Sequence, residues 1–423
     1  MNKNTLKPTV AIDSLGCKLN QAEIESLARQ LTNAGYTLVS PSDMADIYIL
    51  NSCTVTHIAD RKTRHKLRGY HRLNPTASLV VTGCYAERAA EELRVIEGVD
   101  LVVGNDKKSE ILGLLEDMRY PGEGTQTHSS HLFEVSQRTR SSLKIQDGCQ
   151  KFCAYCIVPL VRSREENTPA DQVISDIKTR VKEGFQEVVL TGTEIGQYRY
   201  KNTDLKQLLE TILAETDIPR IRLSSLQPPE ITPDLVTLWQ NPRLCPHFHI
   251  SLQSGSDSVL SRMKRRYTSD EYRQTVTLIR DKVPDVAITT DVIVGFPGET
   301  EAEFQETLDF CREIQFARIH VFSYSSRPGT TAADMTSKVS AAVKKERSRQ
   351  MLSLADDCTW NFRDSYLGRT MDVLFEQKSA SFWTGLTGNY IKVYVKSPAD
   401  LVNMIARVKL NGIYRDGILG EII

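Results

Sequence analysis

The chain has 423 residues, with 53 Lys+Arg against 53 Asp+Glu, and is 40% hydrophobic and 25% charged. That composition excludes a disordered or collagen-like chain, and no stretch is apolar for long enough to span a bilayer. The net charge of zero excludes attraction to nucleic acid through overall charge, while leaving room for a local basic patch.

The amino terminus, MNKNTLKPTVAIDSLG, has no apolar run before a small-residue cleavage site, so no signal peptide is expected. The expected location is cytoplasmic, a reducing compartment. There the nine cysteines are metal ligands, redox groups or core residues rather than disulfides. The length suggests about three domains at ~150 residues each. In a first unit, residues 1–118, strands at 9–15, 47–51, 78–82 and 101–103 alternate with helices. Asn20 is expected to cap a helix over 21–34, with Gly35 just past its end, and a basic helix lies near 59–73. Strands separated by helices imply a parallel sheet with right-handed crossovers. Residues 119–140 are rich in turn formers and read as a linker, with a short strand at 132–135. Residues 141–366 carry strands at 143–146, 187–191, 220–224, 247–252, 287–295 and 318–322 with helices between them. That is a partial (β/α)6 barrel rather than an eight-fold one. A long charged helix near 338–366 leads out of it. Residues 367–423 hold short β-branched runs separated by turns, the pattern of a small β-barrel or sandwich.

Cys149, Cys153 and Cys156 follow the first barrel strand in DGCQKFCAYC. A 4Fe–4S cluster normally takes four thiolates, so a trio leaves one iron open to another ligand. Zinc or incidental cysteines are the alternatives. Zinc sites usually pair C-x2-C units or add histidines, and this segment supplies no second pair. Cys17, Cys53 and Cys84 are far apart in sequence, yet each lies just past a strand of the first sheet. Parallel strands are ~4.8 Å apart and their carboxyl ends share one edge, so three thiols can meet there. The alternative is three unrelated core cysteines. Cys245, Cys311 and Cys358 show no such pattern.

DGCQKFCAYC resembles the cluster motif of radical S-adenosylmethionine enzymes. Together with the N-terminal trio, HISLQSGSDSVLSRMKRRY (249–267), DVIVGFPGET (291–300) and the β-rich tail, the whole chain apart from the linker resembles the methylthiotransferase family. The resemblance implies two 4Fe–4S clusters. Cys149, Cys153 and Cys156 would hold the one that cleaves S-adenosylmethionine to a radical. Cys17, Cys53 and Cys84 would hold an auxiliary one that carries the sulfur. S-adenosylmethionine would serve as both methyl donor and radical source. Its expected neighbours are Tyr155, Gly192, Thr193, Glu194, Gln253, Ser254 and Gly295, with Arg265 on the methionine carboxylate. Turn-making or packing roles explain several of these equally well.

Family members modify either an adenosine beside a tRNA anticodon or an aspartate of a ribosomal protein. The helix RKTRHKLRGYHR has six Lys/Arg and no acid, which suits phosphate neutralisation. The tail resembles a TRAM domain, an oligonucleotide-binding-like barrel. GCKLNQ and NSCTVT resemble the subfamily acting on N(6)-threonylcarbamoyladenosine. The isopentenyladenosine subfamily typically has GCQMN and NTCSIR, and the ribosomal-protein subfamily GCPKN. The implied partners are a tRNA anticodon stem-loop, an electron donor such as a flavodoxin or ferredoxin, and a sulfur source, with no membrane. A non-catalytic zinc-containing RNA-binding protein is the competing class. VPLVRSRE (158–165) lacks the glycine that relatives often carry after that arginine, so no contact is assigned there.

Overall fold

The computed structural model describes residues 7–118 and 139–423. The strand expected at 132–135 therefore lies outside the described residues.

The first sheet is all parallel. It contains β1 (Thr9–Ser14), β2 (Thr37–Val39), β3 (Ile47–Ser52), β4 (Ser78–Gly83) and β5 (Val99–Val103), in the order β2-β1-β3-β4-β5. Every residue of β3 and β4 is buried, as expected of a parallel sheet covered on both faces. One face packs on α1 (Lys18–Asn33) through Ile24, Leu27 and Leu31. The other packs on α2 (His57–Leu73) through Leu67 and Tyr70. Two expectations change. At three residues, β2 is too short to carry a readable period. And α1 begins at Lys18 with Cys17 at its N-cap, so Asn20 is not the cap. Its side-chain amide instead donates to the Leu15 and Ser52 carbonyls at 2.8 and 3.0 Å, tying two strand ends together.

The central strands are β6 (Arg140–Lys144), β7 (Glu187–Thr191), β8 (Arg220–Leu223), β9 (Ser225–Leu226), β10 (His247–Ile250), β11 (Ala287–Val294) and β12 (Arg318–Ser323). The third expected strand, 220–224, is seen as β8, which pairs with β7, and a further short strand not expected, β9, follows it and pairs with β10. The strands thus follow one another in chain order, all parallel, as an open six-unit barrel. Helix α1 lies along the β6 edge. Glu25 accepts the Ser142 N–H at 3.0 Å, and Arg29 pairs with Glu183 at 2.6 Å. A long helix, Ala341–Asp364, runs beside β12 and adds Met351, Ala355 and Cys358 to the barrel core.

The tail is a closed five-stranded antiparallel-rich barrel spanning Thr370–Ser379, Phe382–Thr387, Lys392–Val395, Ile405–Tyr414 and Gly417–Ile422. It closes the amino end of the central strands. Arg220 donates to Asp372 O at 2.7 Å and Arg222 to Gly388 O at 2.7 Å. Arg222 also forms a fully buried ion pair with Glu187 at 2.8 Å, and its guanidinium lies 3.7 Å from the Tyr390 ring centroid. With that end filled, the carboxyl ends of the strands are left for chemistry. Among the described residues no helix is long and apolar enough to cross a membrane.

Candidate functional site

Cys17 lies in the turn after β1, Cys53 directly follows β3, and Cys84 opens a short helix, α3 (Cys84–Arg88), directly after β4. These strands are neighbours, so the three residues share the carboxyl edge of the sheet. Cys53 and Cys84 are buried and Cys17 is the exposed member. Burial pushes the Cys53 thiol up to about 12, and Cys17 and Cys84 add to that by their proximity. The backbone is shaped for this approach. Gly16 has φ +98°, and a Cβ there would sit 2.6 Å from Cys53 Cβ and Sγ. Gly83 has φ +95°, and its Cβ would fall 2.3 Å from Asn51 Oδ1.

The second trio occupies the loop after β6. That loop is pinned by the Ala154 N–H on Met263 O at 2.9 Å and by the Ala332 N–H on Ala154 O at 2.7 Å. Donors surround its sulfurs. The Lys151 N–H lies 3.4 Å from Cys149 Sγ, and Arg265 Nη1 lies 3.5 Å from Cys153 Sγ. Burial pushes Cys149 and Cys156 up to about 12 each; Glu194 adds to the first and Cys153 to the second. Empty of metal, such thiols hold their protons, and metal binding releases them.

The remaining expected residues divide. Glu194 reaches Cys149 Sγ at 3.4 Å and pairs with Lys151, which also contacts Glu230 at 3.0 Å. Burial raises Glu194, Lys151 opposes the rise, and Glu230 adds to it. Gly192 meets Gln146 closely: a Cβ would lie 2.6 Å from its carbonyl oxygen. Thr193 Oγ1 donates to Asp147 Oδ1 at 3.4 Å. Tyr155, Cys156 and Gln253 line one cavity of about 170 Å³, together with Val55 and Thr56, just beyond Cys53, and with Asp291 and Phe322. Ser254 turns away and hydrogen-bonds Thr307 Oγ1 at 3.0 Å in the protein interior. Gly295 gives its N–H to Glu299 Oε2 at 2.7 Å and packs beneath Lys344.

Two arginines absent from the sequence expectations join the units. Arg162 Nε lies 3.3 Å from Cys84 Sγ, while its Nη atoms bind Glu23 (2.8 Å), Asp147 (2.7 Å) and Asn20 (3.0 Å). Burial works against the Glu23 charge, yet Lys108 and Arg162 hold that carboxyl well below the usual range. Arg327, from the segment after β12, crosses to Asp60 at 2.6 Å and Thr54 at 3.0 Å. Cys84 packs against Ile157 and Val161, so the two trios face each other across the joint. A larger cleft of about 850 Å³ runs between α1 and the β6 edge, but no cysteine lines it.

Residues 9–104 match the uncharacterized protein family UPF0004, and residues 143–311 match the radical SAM superfamily. The chain is 36% identical over 421 residues to the threonylcarbamoyladenosine tRNA methylthiotransferase MtaB of Bacillus subtilis, covering 95% of this chain and 93% of that one. It is 38% identical over 396 residues to the protein of the same name from Aquifex aeolicus, covering 91% and 96%. The chain belongs to the radical S-adenosylmethionine methylthiotransferase family. A relative from Desulfotalea psychrophila named tRNA-2-methylthio-N(6)-dimethylallyladenosine synthase is 33% identical, covering 86% of this chain and 88% of that one. In fold, the radical S-adenosylmethionine methyltransferase TsrM of Kitasatospora setae superposes with a TM-score of 0.56 at 14% identity, covering 77% of each chain. The match to the radical SAM superfamily implies S-adenosylmethionine and a 4Fe–4S cluster. The donor set fits such a cluster: three free thiols in one loop, with N–H and guanidinium donors aimed at the sulfurs.

Proposed function

We propose that this enzyme inserts a methylthio group at carbon-2 of N(6)-threonylcarbamoyladenosine, the nucleoside 3′ to the tRNA anticodon. The observation that carries this reading is the meeting of two cysteine trios at one joint. Cys17, Cys53 and Cys84 stand on one side, and Cys149, Cys153 and Cys156 on the other, with a cavity lined by residues of both units. In this reading the first trio holds an auxiliary 4Fe–4S cluster and the second the radical cluster. When bound, these clusters and S-adenosylmethionine supply the sulfur, the methyl group and the radical.

The chain's own residues position and shield. Arg162, anchored on Asp147 in the barrel unit, reaches across to Cys84 and Glu23 of the first unit. Arg265 sets positive charge beside Cys153, and the Lys151 ammonium holds Glu194 and Glu230 beside the Cys149 thiol. Tyr155 and Gln253 line the space where S-adenosylmethionine and the base would meet. Residues 1–118, 141–366 and 367–423 act as cluster carrier, catalytic barrel and RNA-binding tail, joined in part by the linker at 119–140.

RNA contact is supported by two surfaces. On α2, Lys66 pairs with Asp13 and Arg64 binds Tyr85, which leaves Arg61, Lys62, Arg68 and Arg72 exposed. On the tail, Phe382 and Tyr414 cluster over the buried Tyr394, with Lys396 and Arg415 each about 5 Å from one of the outer rings, while Lys392 is paired with Asp416. Such an aromatic and cationic face suits an unpaired RNA loop. A low-potential donor such as a flavodoxin or ferredoxin, a sulfur source and a cytoplasmic setting complete the proposal.

The test is Cys53→Ala in anaerobically purified protein. Deoxyadenosine formation is expected to continue while methylthiolation disappears. Loss of both together, or a native protein holding zinc and no iron, would overturn the reading.

A further inference from the structure

Lys18 opens α1, directly after Cys17, and its side chain points into the central barrel. Its ammonium donates to Tyr390 Oη at 3.2 Å and lies 5.2 Å from that ring's centroid. Among the described residues no carboxylate pairs with it. Of the other cations near it, Arg222 is held by Glu187 and Arg140 pairs with Glu376, while Arg318, whose charge also reaches His320, is exposed at the start of β12. Lys18 also sits close enough to His247 and His320 for its charge to reach both rings. His320 neighbours Asp291, which contacts His249 Nε2 at 3.3 Å and lines the cavity that contains Cys156. A polar path therefore runs from the radical-cluster side, past Asp291, His249 and His320, to an unpaired ammonium beside Cys17.

We infer that Lys18 binds the carboxylate of the threonyl substituent and so selects the substrate. This rests on the function proposed above. The N(6) substituent must enter the barrel with its base, and its terminal carboxylate needs a cation once it leaves water. Asp291 lies beside His320, and its contact with His249 keeps it partnered. An uncharged isopentenyl tail would leave the ammonium desolvated and unpaired, which disfavours that substrate. Lys18 is a specificity residue in this scheme; the bond-making falls to the cluster side.

The experiment uses reconstituted full-length enzyme, unaltered and as Lys18→Gln. Each is assayed on anticodon stem-loops bearing threonylcarbamoyladenosine or its carboxamide counterpart. Losing a hydrogen bond between charged groups predicts a fall in kcat/KM of about 10- to 100-fold, mainly through KM, from either change. Making both changes together should cost little more than one. Iron content and uncoupled cleavage of S-adenosylmethionine should stay unchanged, and Lys18→Arg should recover much of the loss. Losses that simply multiply would overturn the inference while leaving the proposed function standing. If Lys18→Gln loses iron, the unaltered enzyme decides alone, and equal kcat/KM on the two stem-loops overturns the inference. Failure of the unaltered enzyme on threonylcarbamoyladenosine, with turnover of the isopentenyl stem-loop, removes the proposed function and the inference with it.

Discussion

Replacing Gly16 by Ala probes how the N-terminal trio is assembled. Gly16 adopts φ +98°, a conformation that costs a non-glycine residue on the order of 1–3 kcal/mol. The added Cβ would also lie 2.6 Å from both Cys53 Cβ and Sγ, so Cys53 or the Cys17 turn must move. The displacement falls in a turn past the end of β1, so the sheet itself should survive. Gly16→Ala should therefore fold, with a stability loss of about 1–3 kcal/mol in urea titration, and fail selectively at the first trio. Reconstituted protein should drop from about eight irons to about four, the content of one 4Fe–4S cluster. Deoxyadenosine formation should persist and methylthiolation should vanish. Retention of about eight irons with normal product would show that Gly16 does not shape the first trio. Loss of the radical activity along with the product would contradict the expected selectivity.

Arg162→Ala would leave Glu23 to Lys108 and Asp147 to Lys144 with fewer hydrogen bonds each, a cost of about 1–3 kcal/mol by thermal or denaturant unfolding. Arg162→Lys should not rescue it, because one ammonium cannot replace the guanidinium's spread of contacts. Replacing Arg61, Lys62, Arg68 and Arg72 with Ala should weaken tRNA binding at all sequences and flatten the dependence of log K on log salt by about 3, without changing S-adenosylmethionine cleavage. Glu303 is held down at about 2, chiefly by its hydrogen bonds from Arg262. Its folded pKa lies below its unfolded one, so its contribution is present above about pH 4.5 and is lost as pH falls towards 2. Glu303→Gln should remove that part of the acid-side slope of stability and leave stability at neutral pH lower.

The placement of the six cysteines at strand ends was legible because its signal is local. Three fall within one loop, and the other three each follow a β-branched run that marks a buried strand. What could not be read depends on long-range partners. Arg162, Arg327 and Lys151 stand in loops or short turns, and their roles exist only once Cys84, Asp60 and Glu194 are brought to them by the fold. Asn20 looked like a helix cap because its residue type suits one. Two carbonyls at the ends of β1 and β3 claim its amide instead. The short strand β9 was missed because its two residues carry no period of their own and are defined only by pairing with β10. Ser254 and Gly295 sit at the right strand ends, yet their polar groups are taken by Thr307 and Glu299. The tail's closure needed the pairing of its last strand with Lys392–Val395, which no local run announces.

The central claim is the chemistry at one tRNA nucleoside. Mass spectrometry of tRNA nucleosides from cells with and without this gene tests it most directly. Loss of 2-methylthio-N(6)-threonylcarbamoyladenosine is expected, with accumulation of its unmodified precursor and an unchanged level of the isopentenyl analogue. Loss of the isopentenyl analogue alone, or no change in either nucleoside, would contradict it.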